Sequence, residues 1–150
     1  MISLYRLSSA RFPANSGAGA AKFGGRWNQL GTPVIYAAQT ASLAALEVLV
    51  HYTVLPMDFQ LTEIQVPENL AIARWEAAAL PMGWDGDVVT SESQALGEQW
   101  AVEGRAAVLS VPSSIIPKER NFVINPVHPS FRRIKFLPSI PFAFDPRLRR

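Results

Sequence analysis

Apolar and polar residues alternate along the chain in short bursts separated by glycine and proline. Ile2 to Leu7 reads Ile-Ser-Leu-Tyr-Arg-Leu, a two-residue period that predicts a strand with Arg6 near its end. Ser8 to Lys22 is small and polar, with glycines at 17 and 19, and reads as a mobile loop. Val34 to Ala38 is a short apolar run after Pro33 and predicts a buried strand ending near Tyr36. From Thr40 to about Tyr52 the spacing is helical. Phe59 to Val66 alternates and predicts a strand with one solvated face. Leu70 to Arg74 is a short strand, and Glu76 to Leu80 has room for one helical turn. Pro81 to Asp87 turns around Trp84, and Ser91 to Val102 has helical spacing behind Thr90 or Ser91 as N-cap.

The last third follows the same grammar. Ala106 to Val111 is an apolar run between Gly104 and Pro112, hence a buried strand, and Asn121 to Asn125 forms a further one. Asn125-Pro126 and His128-Pro129 impose extended or turn geometry. Phe131 to Leu137 alternates again, and the proline-rich tail is expected on the surface. Some seven short strands with two or three helices predict a mixed α+β fold. With 150 residues and no repeat, low-complexity tract or linker, residues 1–150 are expected to form a single domain.

Composition narrows the class. Nearly half the residues are hydrophobic and only 17% are charged, which excludes a disordered chain. The absence of cysteine excludes disulfides and thiolate metal sites and fits a cytoplasmic location. No apolar run approaches the roughly 20 residues that span a bilayer, so no membrane association is expected. The net charge of +2 is segregated: +3 over residues 1–56, −8 over 57–104 and +7 over 105–150. The basic residues are scattered among prolines and apolar positions, without a basic helix or aromatic platforms. That pattern argues against direct nucleic-acid binding and suits anionic small molecules or a partner protein.

The candidate chemistry concentrates between Gly24 and His51. Gly24-Gly25 lets the backbone bend and approach a ligand, and Arg26 offers a planar fork of donors to phosphate or carboxylate. The spacing is neither that of a dinucleotide fingerprint nor that of a P-loop. Tyr36 is either a core aromatic or a stacking and hydrogen-bonding group. Glu47 is the least expected residue: its helical neighbours Leu43, Ala44 and Val50 are apolar, so it is at least partly buried and needs a partner. His51, one turn on, is a candidate hydrogen-bond partner for it. With His128 isolated between prolines and no second ligand cluster, no metal site is expected. Ser113 follows a buried strand as a hydrogen-bond donor, since the nucleophile elbow is absent.

Taken together, these motifs resemble the RES-domain family, toxins of RES–Xre toxin–antitoxin pairs. They are Tyr5-Arg6, Gly24 to Asn28, Gly31 to Tyr36, Leu46-Glu47 with His51, Val111-Pro112-Ser113, Asn121, and Asn125-Pro126 to Pro129. The resemblance runs from about residue 3 to 147. It implies an ADP-ribosyltransferase-like fold that takes NAD as substrate and cleaves its nicotinamide–ribose bond, without metal. Arg26, Tyr36 and Glu47 would be catalytic. Arg6, Gly25, Arg26, Trp27, Tyr36, Ser113 and Asn125 would bind NAD. The implied partner is an Xre-like helix-turn-helix antitoxin, in a complex that admits a toxin homodimer. Water, phosphate and a protein side chain remain alternative acceptors of ADP-ribose. A different reading is a non-catalytic module that binds nucleic acid or a partner through the basic C-terminal third.

Overall fold

The computed structural model describes residues 1–149, and its centre is one eight-stranded sheet. The strands are β1 (Ile2–Ser9), β2 (Ile35–Ala38), β3 (Phe59–Val66), β4 (Ile72–Arg74), β5 (Val108–Pro112), β6 (Arg120–Ile124), β7 (Lys135–Phe136) and β8 (Ile140–Phe142). They run in the order β4-β5-β6-β2-β1-β3-β7, with β8 also on β3. Only the β4–β5 pair is parallel. The three helices are α1 (Ala18–Phe23), α2 (Ala41–Leu49) and α3 (Ser91–Glu103).

Three apolar clusters hold these elements. Leu4, Ile35, Ile64, Val66, Val108 and Ile124 fill one face of the sheet. Trp27, Val34, Trp84, Trp100, Leu109 and Val111 form a second cluster beneath α3. Leu7, Ala38, Leu43, Ala44, Leu49 and Phe144 pack under α2. β5 is buried along its whole length, as its unbroken apolar run requires. α2 and α3 begin at threonine caps: Leu43 N–H donates to the Thr40 hydroxyl at 3.1 Å and Ser93 N–H to that of Thr90 at 3.2 Å. Gly104, at φ 64°, ends α3 in the left-handed conformation that glycine tolerates best.

Five expectations change. The stretch 8–22, read as a mobile loop, contains the end of β1 and the start of α1; Ser8 and Ser9 pair with Gln60 and Phe59, whose long-range partnership leaves no local mark. The α2 helix stops at Leu49 rather than near Tyr52. β3 does not have one apolar face: Phe59 and Leu61 serve the cluster under α2, while Ile64 and Val66 serve the opposite face. The change of phase falls at Thr62, which is buried and exchanges a 2.6 Å hydrogen bond with Ser139. The 131–137 segment is a short 3-10 turn followed by a two-residue strand, and the tail contributes β8 and the buried ring of Phe144.

α3 fixes the glycine-rich segment at very close range. A Cβ at Gly97 would stand 1.7 Å from the Trp27 carbonyl oxygen, so only glycine lets the helix meet that backbone. Gln94, three residues earlier on the same face, donates to the Gly25 carbonyl at 3.1 Å. Glu98 accepts a hydrogen bond from the Thr32 hydroxyl. Gly97→Ala is therefore expected to destabilise the protein by about 3 kcal/mol or more, because rigid backbone must move on both sides of the contact. Chemical denaturation of the variant against the parent measures the loss.

Candidate functional site

The segment 24–28 is a tight turn closed by backbone hydrogen bonds between Gly25 and Asn28 at 3.1 and 3.4 Å. Tyr36 on β2 anchors it. The phenol donates to Asn28 Oδ1 at 2.6 Å and accepts from the Trp27 N–H at 3.0 Å. Asn28, fully buried, spends its amide on the carbonyls of Ala20, Gln29 and Thr32. A Cβ at Gly25 would stand 2.7 Å from the Tyr36 hydroxyl, so this glycine serves close approach. Burial of the Tyr36 phenol pushes its pKa up, and the Trp27 N–H and the charge of Arg26 only partly oppose that. The ring therefore stays a neutral hydrogen-bonding group at any physiological pH.

The turn projects Arg26 toward the 81–87 loop. Its guanidinium donates to the Trp84 carbonyl and, at 2.9 Å, to that of Gly86. The Trp27 ring stacks on Trp84 at 6.1 Å and meets Trp75 edge-on at 5.6 Å. Arg26 is thus oriented by neutral carbonyls and not neutralised by an acid, and its field reaches both Tyr36 and Glu47.

Glu47 sits half-buried on α2, and its partner is neither an arginine nor His51. Asn121, on β6 opposite Ala38 of β2, donates its side-chain N–H to Glu47 Oε2 at 2.5 Å. His51 is exposed and contributes only its charge. Desolvation raises the Glu47 pKa; the Asn121 hydrogen bond, Arg26 and His51 pull it back. A carboxylate held by a neutral amide keeps its net charge available to a ligand, which a direct ion pair would cancel. Asn121 stands in the sequence as a strand residue and a member of the family motif, and nothing local marks it as the partner of a side chain 74 residues away.

Arg6 on β1 completes the cluster. One Nη donates to the Tyr36 carbonyl at 3.0 Å, no carboxylate faces it, and burial pushes its pKa down to about 10. Arg6 and Tyr36 line an open cavity of about 400 Å³, and so does His51, just past the end of α2. Arg26 and Glu47 do not line it; the field of Arg26 links these two to each other and to Tyr36.

The structure puts other expected residues into the scaffold around that region. The Trp27 ring is buried in the aromatic cluster. Ser113 is fully buried, and its hydroxyl oxygen accepts from the N–H groups of Ile115 and Ile116, both at 3.0 Å. Asn125 bridges the Ala101 carbonyl and the Val127 N–H, and His128 Nε2 lies 2.8 Å from the Gly104 carbonyl. The Asn-Pro-x-His-Pro motif is therefore a clasp that ties the end of α3 to the end of β6. Among the described residues no group of three or more acids and histidines is placed to hold a metal ion, and no helix is long and apolar enough to cross a membrane.

One mixed, mostly antiparallel sheet with three helices, and with two arginines, a tyrosine and a half-buried glutamate near one another, defines a small α+β domain. The chain belongs to the RES domain family, whose model matches residues 3–145. It is 44% identical over 140 residues to the Prs ADP-ribosylating toxin of a Sphingobium species, covering 90% of this chain and 86% of that protein. It is 38% identical over 150 residues to Toxin Res of Photorhabdus laumondii, covering 97% and 96% respectively. Among solved structures, a chain of the M. tuberculosis MbcT–MbcA toxin–antitoxin complex superposes with a TM-score of 0.72 at 24% identity, covering 97% of this chain and 85% of that one, and so shares the fold.

The electrostatics make two testable statements. Asn121→Ala removes a hydrogen bond that favours the ionised carboxylate, so Glu47 must titrate still higher; carbon-detected NMR of the glutamate carboxyls reads the shift, and an unchanged or lowered value contradicts the assignment. Because the folded pKa of Glu47 lies above its unfolded value, its contribution to stability is complete below the unfolded pKa and lost as pH rises through the folded one. Glu47→Gln should therefore flatten the stability–pH curve in that window and leave the protein at least as stable at neutral pH.

Proposed function

We propose that this chain is the toxin of a toxin–antitoxin pair and degrades NAD by cleaving the bond between nicotinamide and ribose. The observation that carries the reading is a half-buried carboxylate that accepts from an uncharged amide and lies in the field of Arg26, in a fold whose cavity is lined by a second guanidinium with no counter-ion among the described residues. Such a pair suits a substrate with a phosphate at one end and developing positive charge at the other.

In the proposed reaction the bond from C1′ of the ribose to the ring nitrogen of nicotinamide breaks, and its electron pair neutralises the pyridinium. The ribose becomes oxocarbenium-like, as in glycoside cleavage. Ionised Glu47 stabilises that charge in a site prepared before the substrate arrives. Arg6 holds phosphate oxygens and spends remote binding energy on placing C1′. Tyr36 fixes the 24–28 turn and the wall beside the ring. Arg26 holds the 84–86 loop and adds positive potential near the phosphates. The acceptor oxygen, from water or inorganic phosphate, attacks C1′ and releases its proton to solvent.

A second reading is favoured by the name of the Sphingobium relative: transfer of ADP-ribose to a protein side chain, with the same bond broken and a different acceptor. An antitoxin is the proposed partner in both, by analogy with the toxin–antitoxin complex that shares the fold. An Xre-like helix-turn-helix protein is the form the family resemblance suggests.

Pure protein incubated with NAD should release nicotinamide. Glu47→Gln, folded by circular dichroism, should lose on the order of 10³-fold in rate, the scale of removing a preorganised charge-stabilising group. The wild-type rate should fall on acidification as Glu47 protonates, with its midpoint above the ordinary glutamate value. Free ADP-ribose or its phosphorylated product marks the first reading, and labelled protein with little free product marks the second. A wild-type protein that leaves NAD intact and labels no protein contradicts both.

A further inference from the structure

Glu47 stands in the last turn of α2, two residues before the helix ends at Leu49. A helix of nine residues frays readily, and its final carbonyls have no partner within the helix. The local sequence does little for this end. The last turn carries no basic side chain, and Val50-His51 follow it in place of the glycine that often closes a helix. The fastening comes from a residue 100 positions away: one Nη of Arg149 donates to the Leu49 carbonyl at 2.8 Å and to the Tyr52 carbonyl at 2.9 Å. That nitrogen carries two hydrogens, so each carbonyl receives one. The guanidinium also brings positive charge to the negative end of the helix dipole.

The segment leading to Arg149 is ordered in three steps. Phe144 is buried in one cluster with Leu43, Ala44 and Leu49 of α2, and its ring meets Phe142 of β8 edge-on at 5.0 Å. The chain then makes a 3-10 turn at Pro146–Leu148. Asp145 closes that turn: its carboxylate accepts from the Arg147 backbone N–H at 2.9 Å and from the Arg147 guanidinium at 3.0 and 2.8 Å. Residues 144–149 are thus a strap with an apolar root, a locked bend and a cationic tip. The stretch the tip grips includes His51 and Tyr52, which line the same cavity as Arg6 and Tyr36.

We infer that Arg149 is a positioning residue, holding the last turn of α2 so that Glu47 stays on Asn121 and the His51–Tyr52 wall keeps its place. Its own hydrogen bonds go to backbone carbonyls alone, so it acts through the helix and not on the substrate. The inference takes the catalytic role of Glu47 from the proposed function, whereas the grip on α2 is independent of that role. Released from Arg149, the last turn opens part of the time, and Glu47 then leaves the geometry that catalysis requires.

The test compares Arg149→Ala, Arg149→Lys and Asp145→Ala with the parent by steady-state NAD cleavage and by amide hydrogen exchange. Arg149→Ala should lower kcat about tenfold and leave KM within about threefold, as a displaced catalytic group does. Exchange at residues 47–52 should quicken about tenfold or more, with β5 and β6 exchanging as in the parent. Arg149→Lys keeps the charge and the donors and should recover kcat to within about threefold of the parent. Asp145→Ala loosens only the bend and should give a weaker form of the same pattern. Added to Arg149→Ala it should cost nothing more, because the two residues act in series. Parental kcat in Arg149→Ala overturns the assignment, as does quickened exchange throughout the sheet, the mark of a residue that only stabilises the fold. Quickened exchange confined to 47–52, in a protein whose parent neither cleaves NAD nor labels protein, keeps the grip and removes the enzymatic reading. NAD cleavage with unchanged exchange at 47–52 in Arg149→Ala removes the grip and leaves that reading standing.

Discussion

The Tyr36 phenol is the contact on which the site depends. It donates to Asn28 and accepts from Trp27, while the carbonyl of the same residue takes the Arg6 guanidinium. One strand residue therefore positions the turn that carries one arginine and the side chain of another. Because the phenol is buried, replacing either partner would strand a desolvated polar group, which makes the arrangement all-or-nothing rather than adjustable. Gly25 exists to make room for it, and Gly97 lets α3 press the same turn from the other side.

The electrostatic design follows from what is not paired. Arg26 spends its donors on carbonyls of the 84–86 loop, Arg6 on a carbonyl of β2, and Glu47 accepts from an amide. Two guanidiniums and a carboxylate share a neighbourhood without forming a salt bridge. Had they paired directly, each would have been satisfied and silent. Kept apart by neutral partners, they hold separate positive and negative potentials, and the buried ones carry a cost of desolvation that no ion pair offsets. The fold meets that cost with a sheet buried along β5 and three apolar clusters.

What could be read in the sequence was what is local. The 24–51 unit combines turn, strand and helix within one stretch, so glycine spacing, an apolar run and helical periodicity marked its parts, and Glu47 stood out against Leu43, Ala44 and Val50. The pairing of Glu47 with Asn121 spans 74 residues, and the Arg26 contacts span 58 and 60; no spacing rule reports such distances. α1 was hidden because Ala18–Phe23 is a six-residue helix with no buried residue and no side-chain cap, so neither periodicity nor capping announces it. β8 was hidden by its own proline, which sits on a sheet edge where the missing donor costs little.

The crystal structure of Glu47→Gln with NAD bound would test the central claim most directly, because the substrate should survive in that variant. The account predicts the dinucleotide in the cleft with C1′ of its nicotinamide ribose against residue 47, Tyr36 alongside, and its phosphates at Arg6. NAD lodged elsewhere on the protein, or ordered in the cleft with that carbon remote from residue 47, would contradict it.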